Sequence, residues 1–376
     1  MRIVMLGQKT IPSREGGIEV VVEELATRMA KKGHEVTCFN RKKSPELNKR
    51  ENYKNIRLKE VWTINKKGLA ALTSSLSGSI LAAAGAYDIV HFHAEGSGIL
   101  LWLPKVFGKK CIMTVHGLDH QRAKWGKAAK AVIHYGEKIA VKYADEIIVL
   151  SKNMQKYFKD KYNRETRYIP NGIQAVKKRE ADLIGKKFGL QKNGYILFLG
   201  RLVPEKGVHY LLEAYTRIKT EKKLIVAGAS SDTDEYVCTL KKMAEGNKNI
   251  IFTGFVQGNL LEELYSNAYF YVLPSDVEGM PLSLLEAMSV GNCCLISDIE
   301  ECTEVTQQHA LVFKHGNKAD LREKMQWLCE HPEVVEKYRN GTKEFICQKY
   351  HWDDVVKKTL EVYRGTIEKK NENFDD

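Results

Sequence analysis

Short apolar runs alternate along the chain with longer segments of helical periodicity. Runs of four to eight residues rich in Ile, Val, Leu and aromatic side chains are typical of buried strands. Nearly continuous apolar strands separated by helices predict parallel sheets covered on both faces. The predicted strands are RIVML at 2, YDIVHFH at 87, KCIMTVH at 110, DEIIVL at 145, YILFLG at 195, KLIVAG at 223, NIIFTG at 249, YFYVLP at 269 and NCCLIS at 292.

Two helical segments near the amino terminus have different patterns. The segment 68–87 is twenty residues without a charge, long enough to span a bilayer, but its Ser, Thr and Gly residues dilute its hydrophobicity. We therefore expect a helix packed on a sheet and no membrane span. The helix after the first strand carries one apolar stripe, formed by Ile18, Val21, Val22, Leu25 and Met29.

The length of 376 residues predicts two domains, because single cores rarely grow so large. We place the boundary near YIPNGIQ, giving Rossmann-like α/β domains at 1–172 and 173–351 that face each other across a cleft. A carboxyl-terminal helix at about 352–370 is expected to pack back on the first domain. Ligands of such sheets bind beyond the carboxyl ends of the strands, which directs the search for functional residues.

The net charge of +12 is unevenly distributed along the chain. Residues 1–190 carry 36 Lys and Arg against 18 Asp and Glu, whereas residues 191–376 carry 23 against 29. A basic half attracts nucleic acid, an anionic membrane or an anionic substrate. No nucleic-acid-binding module is recognisable, so we expect no nucleic-acid partner. The eight cysteines form no C-x-x-C pair and favour a reducing cytoplasm.

Several polar residues follow predicted strands or open helices. Gly16 and Gly17 precede the first helix, where exposed N–H groups suit a phosphate, although a plain turn explains them equally well. Arg201 and Lys206 follow YILFLG and form a candidate clamp for a diphosphate. No G-x-G-x-x-G sequence follows a strand, so a dinucleotide cofactor is not expected.

The stretch EGMPLSLLEAMSVG sets Glu278 and Glu286 on either side of a predicted helix start near Pro281. The N–H groups of Leu282 and Ser283 would then carry the positive end of the helix dipole. Carboxylates on both sides of a phosphate pocket accept hydrogen bonds from hydroxyl groups, and a nucleotide sugar has hydroxyls on both sides of its diphosphate. The alternative is that Glu278 is a turn residue and that Glu286 lies on a solvated helix face.

GRLVPEKG, EGMPLSLLEAMSVG, EGGIEVVVEEL and HGLD together resemble the retaining GT-B glycosyltransferases of family 4 over essentially the whole chain. The resemblance implies that Arg201 and Lys206 hold the donor diphosphate. It implies catalytic roles for Glu278, at the transferred sugar, and for His116, beside the reacting sugar. His91 and His93 end a strand at the same edge, and we expect at least one to be structural. The implied donor-binding set is Gly16, Gly17, Arg201, Lys206, Val256, Gly279, Met280, Leu282, Ser283 and Glu286, the last at the ribose.

The implied reaction needs no cofactor and no metal ion, because protein cations would replace a divalent ion at the leaving diphosphate. The donor would be a nucleotide-diphosphate sugar and the acceptor a glycan or polyprenyl-diphosphate-linked sugar. HGLDHQRAKWGK is similar to enzymes that build bacterial surface polysaccharides. A GT-B nucleotide-sugar epimerase and a non-catalytic nucleotide-sugar-binding protein remain as alternatives.

The first domain is also expected to work at an anionic membrane surface on the cytoplasmic side. The segment GILLWLPKVFGKK combines Trp102 and Phe107 with Lys105, Lys109 and Lys110, as in an interfacial anchor. The alternative is that these aromatic side chains belong to the core.

Overall fold

A computed structural model describes residues 1–42, 51–66, 68–122 and 125–368. The chain forms two compact units, one of Met1–Gly172 with Trp352–Asp376 and one of Ile173–His351. The strands are β1 (Arg2–Leu6), β2 (Glu35–Arg41), β3 (Asn52–Tyr53), β4 (Ile56–Val61), β5 (Ile89–His93), β6 (Lys110–Val115), β7 (Glu146–Val149), β8 (Arg167–Tyr168), β9 (Tyr195–Leu199), β10 (Lys223–Ala227), β11 (Ile250–Gly254), β12 (Phe270–Leu273), β13 (Cys294–Ser297) and β14 (Leu311–Phe313).

The helices alternate with these strands, as the pattern of apolar residues predicts. They are α1 (Gly17–Lys31), α2 (Leu69–Ala84), α3 (Trp102–Val106), α4 (Lys127–Tyr143), α5 (Lys152–Tyr162), α6 (Leu183–Phe188), α7 (Val208–Tyr215), α8 (Asp234–Met243), α9 (Asn259–Asn267), α10 (Leu282–Ser289), α11 (Glu300–Thr306), α12 (Lys318–Glu330), α13 (Pro332–Arg339), α14 (Thr342–Lys349) and α15 (Trp352–Glu368). Short 3₁₀ turns lie at Glu95–Leu100, Asp119–Gln121 and Pro204–Lys206.

Both sheets are parallel apart from one edge hairpin. The first unit has the strand order β3-β4-β2-β1-β5-β6-β7-β8, in which only β3 runs antiparallel to its neighbour. The second unit has the order β11-β10-β9-β12-β13-β14, with every pair parallel. All nine predicted strands are present. In the second unit β9 and β12 are adjacent, so the loops that follow them lie at one edge of the sheet.

The first two helices use different kinds of side chain to cover the sheet. On α1 the predicted stripe faces the core, with Val21, Val22, Leu25 and Met29 buried and Ile18 half-buried. On α2 the buried face consists of Ser, Gly and Ala, and Gly78 lies against Leu6 of β1. The prediction of a helix packed on the sheet is confirmed. Among the described residues no helix is long and apolar enough to cross a bilayer.

The carboxyl-terminal helix α15 packs within the first unit, against α1 and β6. Tyr363 is fully buried, and its hydroxyl lies 2.5 Å from Nδ1 of His91 on β5. Arg28 of α1 bonds Asp353 at the start of α15 at 2.8 Å. The first unit is therefore assembled from both ends of the chain.

The net charge divides differently between the two structural units than between the halves of the sequence split at residue 190. The first unit carries 36 Lys and Arg against 23 Asp and Glu, a net +13, and the second unit carries 23 against 24, a net −1. The acidic end of the chain belongs to the first unit and reduces its excess. The positive charge still lies almost entirely in the first unit.

Candidate functional site

The loops after β9 and β12 are bonded to each other in the second unit. Asp276 N–H donates to the carbonyl of Glu205 at 2.8 Å. Gly207 follows Lys206 with φ +65°, and a Cβ there would lie 1.9 Å from the carbonyl oxygen of Pro274. Only glycine allows this left-handed conformation and this close approach together. The sequence GRLVPEKG thus brings Lys206 beside the loop that carries Glu278.

Lys206 and Glu278 form a direct ion pair. Lys206 Nζ lies 2.5 Å from Glu278 Oε1, and the two side chains are only 12% and 8% exposed. The Ser275 hydroxyl donates to the same carboxylate oxygen at 2.7 Å. The resemblance assigns these residues to separate parts of the donor, and the sequence does not predict that they bond each other. A ligand phosphate that reaches Lys206 competes with Glu278 for the same ammonium group.

The helix after this loop begins one residue later than predicted. Pro281 is the N-cap of α10, and its carbonyl accepts hydrogen bonds from the N–H groups of Leu284 and Leu285. Leu282 and Ser283, in the first turn, are half-buried, whereas Gly279 and Met280 before the helix are buried. The N–H groups of Leu282 and Ser283 precede the first hydrogen bonds of the helix, which is the arrangement expected of an anion site.

Glu286 lies on the next turn of α10 and is held by a tyrosine. The Tyr265 hydroxyl donates to Glu286 Oε2 at 2.9 Å. Burial, reinforced by the charge of Glu286, raises the pKa of Tyr265, so this donor stays protonated. Tyr271 of β12 similarly donates to Ser283 Oγ at 2.9 Å. Neither tyrosine is predicted from the sequence, because Tyr265 lies within α9 and Tyr271 within β12, where a hydroxyl carries no positional signal.

Three further residues lie in the segments that follow β9 and β11 of the second unit. Arg201 is half-buried, two residues after the end of β9. Val256 is buried in the loop after β11, beside Phe255, which is 45% exposed. Glu205 was not singled out from the sequence, yet it is 2% exposed and neither carboxylate oxygen has a hydrogen-bond partner among the described residues.

In the first unit the ends of β5 and β6 carry a line of three histidines. His91 is bonded through both ring nitrogens, to Tyr363 at 2.5 Å and to Thr114 at 2.7 Å. His93 Nδ1 lies 3.0 Å from His116 Nε2. The expectation of at least one structural histidine fits His91, whose hydrogen-bonding capacity is fully used.

These histidines are held in the neutral form. Burial lowers the pKa of His91 to about 3 and that of His116 to about 4, and it places the pKa of His93 well below its ordinary value. At neutral pH one ring therefore donates and the other accepts in the His93–His116 bond. His93 positions the ring of His116.

The glycine pair opens α1, as the sequence indicates. Gly16 is the N-cap, and Gly17 is the first helical residue. A Cβ on Gly16 would lie 2.2 Å from Glu19 Oε2, while Glu19 Oε1 accepts the N–H of Lys9 at 2.8 Å. The absence of a side chain at Gly16 lets Glu19 fold back and fix the preceding loop. This local role operates whether or not a ligand approaches the glycines.

One sequence feature relevant to metal binding was overlooked. Asp232, Thr233 and Asp234 form a D-x-D sequence at the start of α8. Thr233 Oγ1 donates to the carbonyl of Leu202 at 2.7 Å, which attaches this segment to the loop after β9. The expectation of a reaction without metal therefore needs a direct test.

The sequence matches glycosyltransferase families over most of its length. Residues 15–176 match Glycosyltransferase Family 4, and residues 181–345 match Glycosyl transferases group 1. Together these matches cover most of the chain, and the protein belongs to the GT-B glycosyltransferases.

The chain is similar to glycosyltransferases of an archaeon and a bacterium and to a solved synthase structure. The chain is 24% identical to an uncharacterized glycosyltransferase of Methanocaldococcus jannaschii, over 98% of this chain and 99% of that one. It is 29% identical to UDP-Gal:alpha-D-GlcNAc-diphosphoundecaprenol alpha-1,3-galactosyltransferase of Escherichia coli, over 57% and 58%. Sucrose-phosphate synthase of Thermosynechococcus elongatus shares the fold, with a TM-score of 0.83, 21% identity and coverage of 97% and 98%.

Proposed function

We propose that this glycosyltransferase is a retaining enzyme that moves a sugar from a nucleotide-diphosphate sugar to a glycan or polyprenyl-diphosphate-linked acceptor. The observation that supports the proposal most directly is the arrangement after β9 and β12. There Lys206 and Glu278 are bonded at the sheet edge, and the adjoining loop leads into the N-terminus of α10. A cation, a carboxylate and free N–H groups are what a sugar joined to a diphosphate requires.

In the proposed reaction the bond between the anomeric carbon and the diphosphate oxygen breaks, and negative charge grows on the leaving diphosphate. Arg201, Lys206 and the N–H groups of Leu282 and Ser283 stabilise that charge. Lys206 moves from Glu278 to the diphosphate as the donor binds. The acceptor oxygen bonds to the same face of the sugar, and its proton passes to the leaving phosphate.

The two carboxylates have separate roles in this proposal. Glu278, released from part of its bond with Lys206, accepts hydrogen bonds from the transferred sugar. Glu286, oriented by Tyr265, binds the ribose of the nucleotide. A retaining glycosidase needs two carboxyl groups about 5–5.5 Å apart at one anomeric carbon. Assigning Glu286 to the ribose removes that mechanism.

The first unit supplies the acceptor-binding part and His116. Since the His116 ring is neutral at physiological pH, it offers one hydrogen bond to a sugar hydroxyl without adding charge. The acceptor class is supported by the E. coli relative, whose name specifies a diphosphoundecaprenol-linked substrate. We accordingly place the enzyme in bacterial cell-surface polysaccharide biosynthesis, on the cytoplasmic side of the membrane.

We further propose that the first unit binds an anionic membrane surface. Its net charge of +13 favours such a surface. Val106 and Phe107 are 70% and 65% exposed, and α2 presents the aliphatic row Leu69, Leu72, Leu76 and Ile80 to solvent. The predicted lysines contribute less than expected, because Lys105 and Lys110 contact Asp145 at 2.6 and 3.8 Å and Lys109 donates to the Gly85 carbonyl.

One experiment tests the reaction class. The purified chain is incubated with a panel of nucleotide sugars, with and without polyprenyl-diphosphate glycan acceptors, and with or without added Mg²⁺ or Mn²⁺. We expect nucleotide release that depends on the acceptor, an unchanged anomeric configuration in the product, and no dependence on added ion. Isomerisation of the donor without acceptor would indicate an epimerase, and binding without turnover would indicate a non-catalytic protein. An inverted product would refute the retaining mechanism.

A further inference from the structure

Four ionisable side chains meet in the first unit, outside the residues assigned to sugar transfer. Glu95 opens the 3₁₀ turn after β5, and His120 lies in the 3₁₀ turn after β6. His134 and Glu137 are three residues apart on one face of α4. We call these four residues the His-Glu cluster. Its members come from HAEGSG, HGLDHQ and IHYGE, which are separate in sequence and share no motif.

The distances inside the His-Glu cluster suit a small coordinated ion. His120 Nδ1 lies 3.5 Å from Glu137 Oε2 and 3.7 Å from Glu95 Oε2. His134 Nδ1 lies 3.4 Å from Glu137 Oε1. A tetrahedral Zn²⁺ with ligands at about 2.0–2.2 Å separates neighbouring ligand atoms by about 3.3–3.6 Å. The ligand atoms of His120, His134 and Glu137 all lie within 4.8 Å of one another.

Several of the facing atoms lack a hydrogen bond. Nδ1 of His120 and Nδ1 of His134 are buried, and neither has a hydrogen-bond partner among the described residues. Glu95 is fully buried, and its Oε1 is likewise without a partner, although Oε2 accepts the N–H of Asp119 at 2.8 Å. Buried polar atoms are normally paired, because leaving one unpaired costs about 1–3 kcal/mol. The unpaired atoms therefore point to something that binds between them.

The charges around the cluster favour a cation. Glu95 and Glu137 bring two buried carboxyl groups together, and Asp119, whose N–H bonds Glu95, adds a third acidic side chain nearby. Glu137 already receives hydrogen bonds from Tyr157 and Tyr162 and an ion pair from Lys161. These bonds hold its carboxylate in place, as outer partners of metal ligands commonly do. They leave Glu95 as a buried acid without a compensating charge.

We propose that His120, His134 and Glu137 bind one divalent transition-metal ion, of which Zn²⁺ fits best, and that Glu95, 3.7 Å from His120 Nδ1, completes its coordination. Imidazole nitrogens combined with carboxylate oxygens form a ligand set typical of Zn²⁺. An ion with four protein ligands is structural. It ties the segment after β6, at His120 four residues beyond His116, to α4 and to the turn after β5. This proposal is independent of the function proposed above.

The test uses the full chain after removal of metal with a chelator. Titration with Zn²⁺ is expected to show one tight site per chain and a higher melting temperature. Co²⁺ in place of Zn²⁺ is expected to give the visible absorption of a tetrahedral site. His134→Ala should lower Zn²⁺ affinity by more than about 100-fold, beyond the effect usual for outer partners of a metal site. His351→Ala, an exposed histidine in the second unit, is the matched control and should bind as the wild type does.

A second variant guards against misfolding of the first. Glu95→Gln keeps an oxygen to accept the Asp119 N–H but removes the carboxylate, and it should also weaken Zn²⁺ binding. If the wild type binds no Zn²⁺, or if His134→Ala and Glu95→Gln bind it as tightly as His351→Ala, the proposal is wrong. In that case Glu95 and Glu137 share a proton in the absence of a metal ion.

Discussion

The Lys206–Glu278 ion pair changes what a substitution at Lys206 measures. Lys206→Ala leaves the buried Glu278 carboxylate without its cation and with the Ser275 hydroxyl as its remaining partner, so we expect the free energy of unfolding to fall by about 3 kcal/mol. The double variant Lys206→Met, Glu278→Gln should recover most of that stability without recovering transfer. Arg201→Ala, at a half-buried position, should slow transfer by roughly 100-fold with little effect on unfolding. Denaturant titration measures the loss of stability, and steady-state rates measure the loss of transfer. If both Arg201→Ala and Lys206→Ala keep activity within threefold of wild type, these two cations do not form a diphosphate clamp in the mechanism.

The two glutamates are expected to differ in their kinetic effects. Glu286→Gln should mainly weaken donor binding, because its proposed partner is the ribose, which does not react. Glu278→Gln should mainly lower kcat, because its proposed partner is the sugar in transfer. Calorimetric donor affinity together with kcat for both variants makes the comparison, and Tyr265→Phe should resemble Glu286→Gln in weaker form. Identical profiles for the two glutamates would contradict the division of roles.

The buried histidines predict a pH dependence of stability. Their folded-state pKa values, about 3 for His91 and about 4 for His116, lie below the ordinary 6.5, so the unfolded chain binds more protons between these limits. Above pH 6.5 these two histidines do not reduce the free energy of unfolding. As the pH falls towards 4, the free energy of unfolding decreases by up to about 1.4 kcal/mol per pH unit for each group. Glu95, with its raised pKa, contributes with the opposite sign.

The slope against pH isolates the contribution of one histidine. His91→Gln retains groups that can bond Tyr363 and Thr114 but cannot take up the proton. Denaturant unfolding of this variant between pH 4 and 7 should give a shallower slope than wild type. Equal slopes would show that His91 titrates normally in the folded protein.

At the scale of elements, α2 and α3 carry the prediction about membranes. Val106 and Phe107 lie at the end of α3, and α2, which packs against α3, turns its large aliphatic side chains outward. Replacing Val106 and Phe107 by Ser should reduce binding to anionic vesicles at least about tenfold, because each side chain buried in the interface contributes about 1.5–3 kcal/mol. Trp327→Ser, an exposed aromatic residue of the second unit, is the control. Co-sedimentation with vesicles at low and high salt measures the effect. If the wild-type protein stays in the supernatant in the presence of anionic vesicles, the first unit does not bind an anionic membrane surface.

The sequence predicted elements better where the apolar pattern was continuous. All nine long runs became strands. β4 was not predicted because the exposed Arg57, Lys59 and Glu60 interrupt its buried residues, and β2, β3, β8 and β14 were not predicted either. Candidate residues within a single loop could be picked out because their signal lies in neighbouring residues. Contacts between distant segments could not be predicted. Lys206 and Glu278 are 72 residues apart, and the His-Glu cluster draws on two turns and one helix. Such contacts depend on the order of the strands in the sheet, which a single sequence does not reveal.

At the scale of the whole molecule, the first unit depends on the last helix. A chain ending at His351 would lack Tyr363 and Asp353, which leaves Nδ1 of the buried His91 without its hydrogen-bond partner and removes one of the ion pairs of Arg28. We expect this truncation to lower the melting temperature of the first unit sharply. The segment 173–351 expressed alone should unfold cooperatively on its own, because its core and sheet are complete. Calorimetry of the full chain and both fragments decides, and a truncated chain as stable as the full one would contradict the role of α15.

The ends of the second unit meet, since Ile173 N–H donates to the carbonyl of Tyr350 at 2.8 Å and Ile173 pairs with His351. The polypeptide leaves the first unit once, completes the second as a closed excursion, and then returns. During synthesis on the ribosome, the second unit has all its residues available while the first still waits for α15. The part of the enzyme made first therefore finishes folding last, and until α15 has been synthesised the side of His91 that Tyr363 covers stays open to chaperones and proteases.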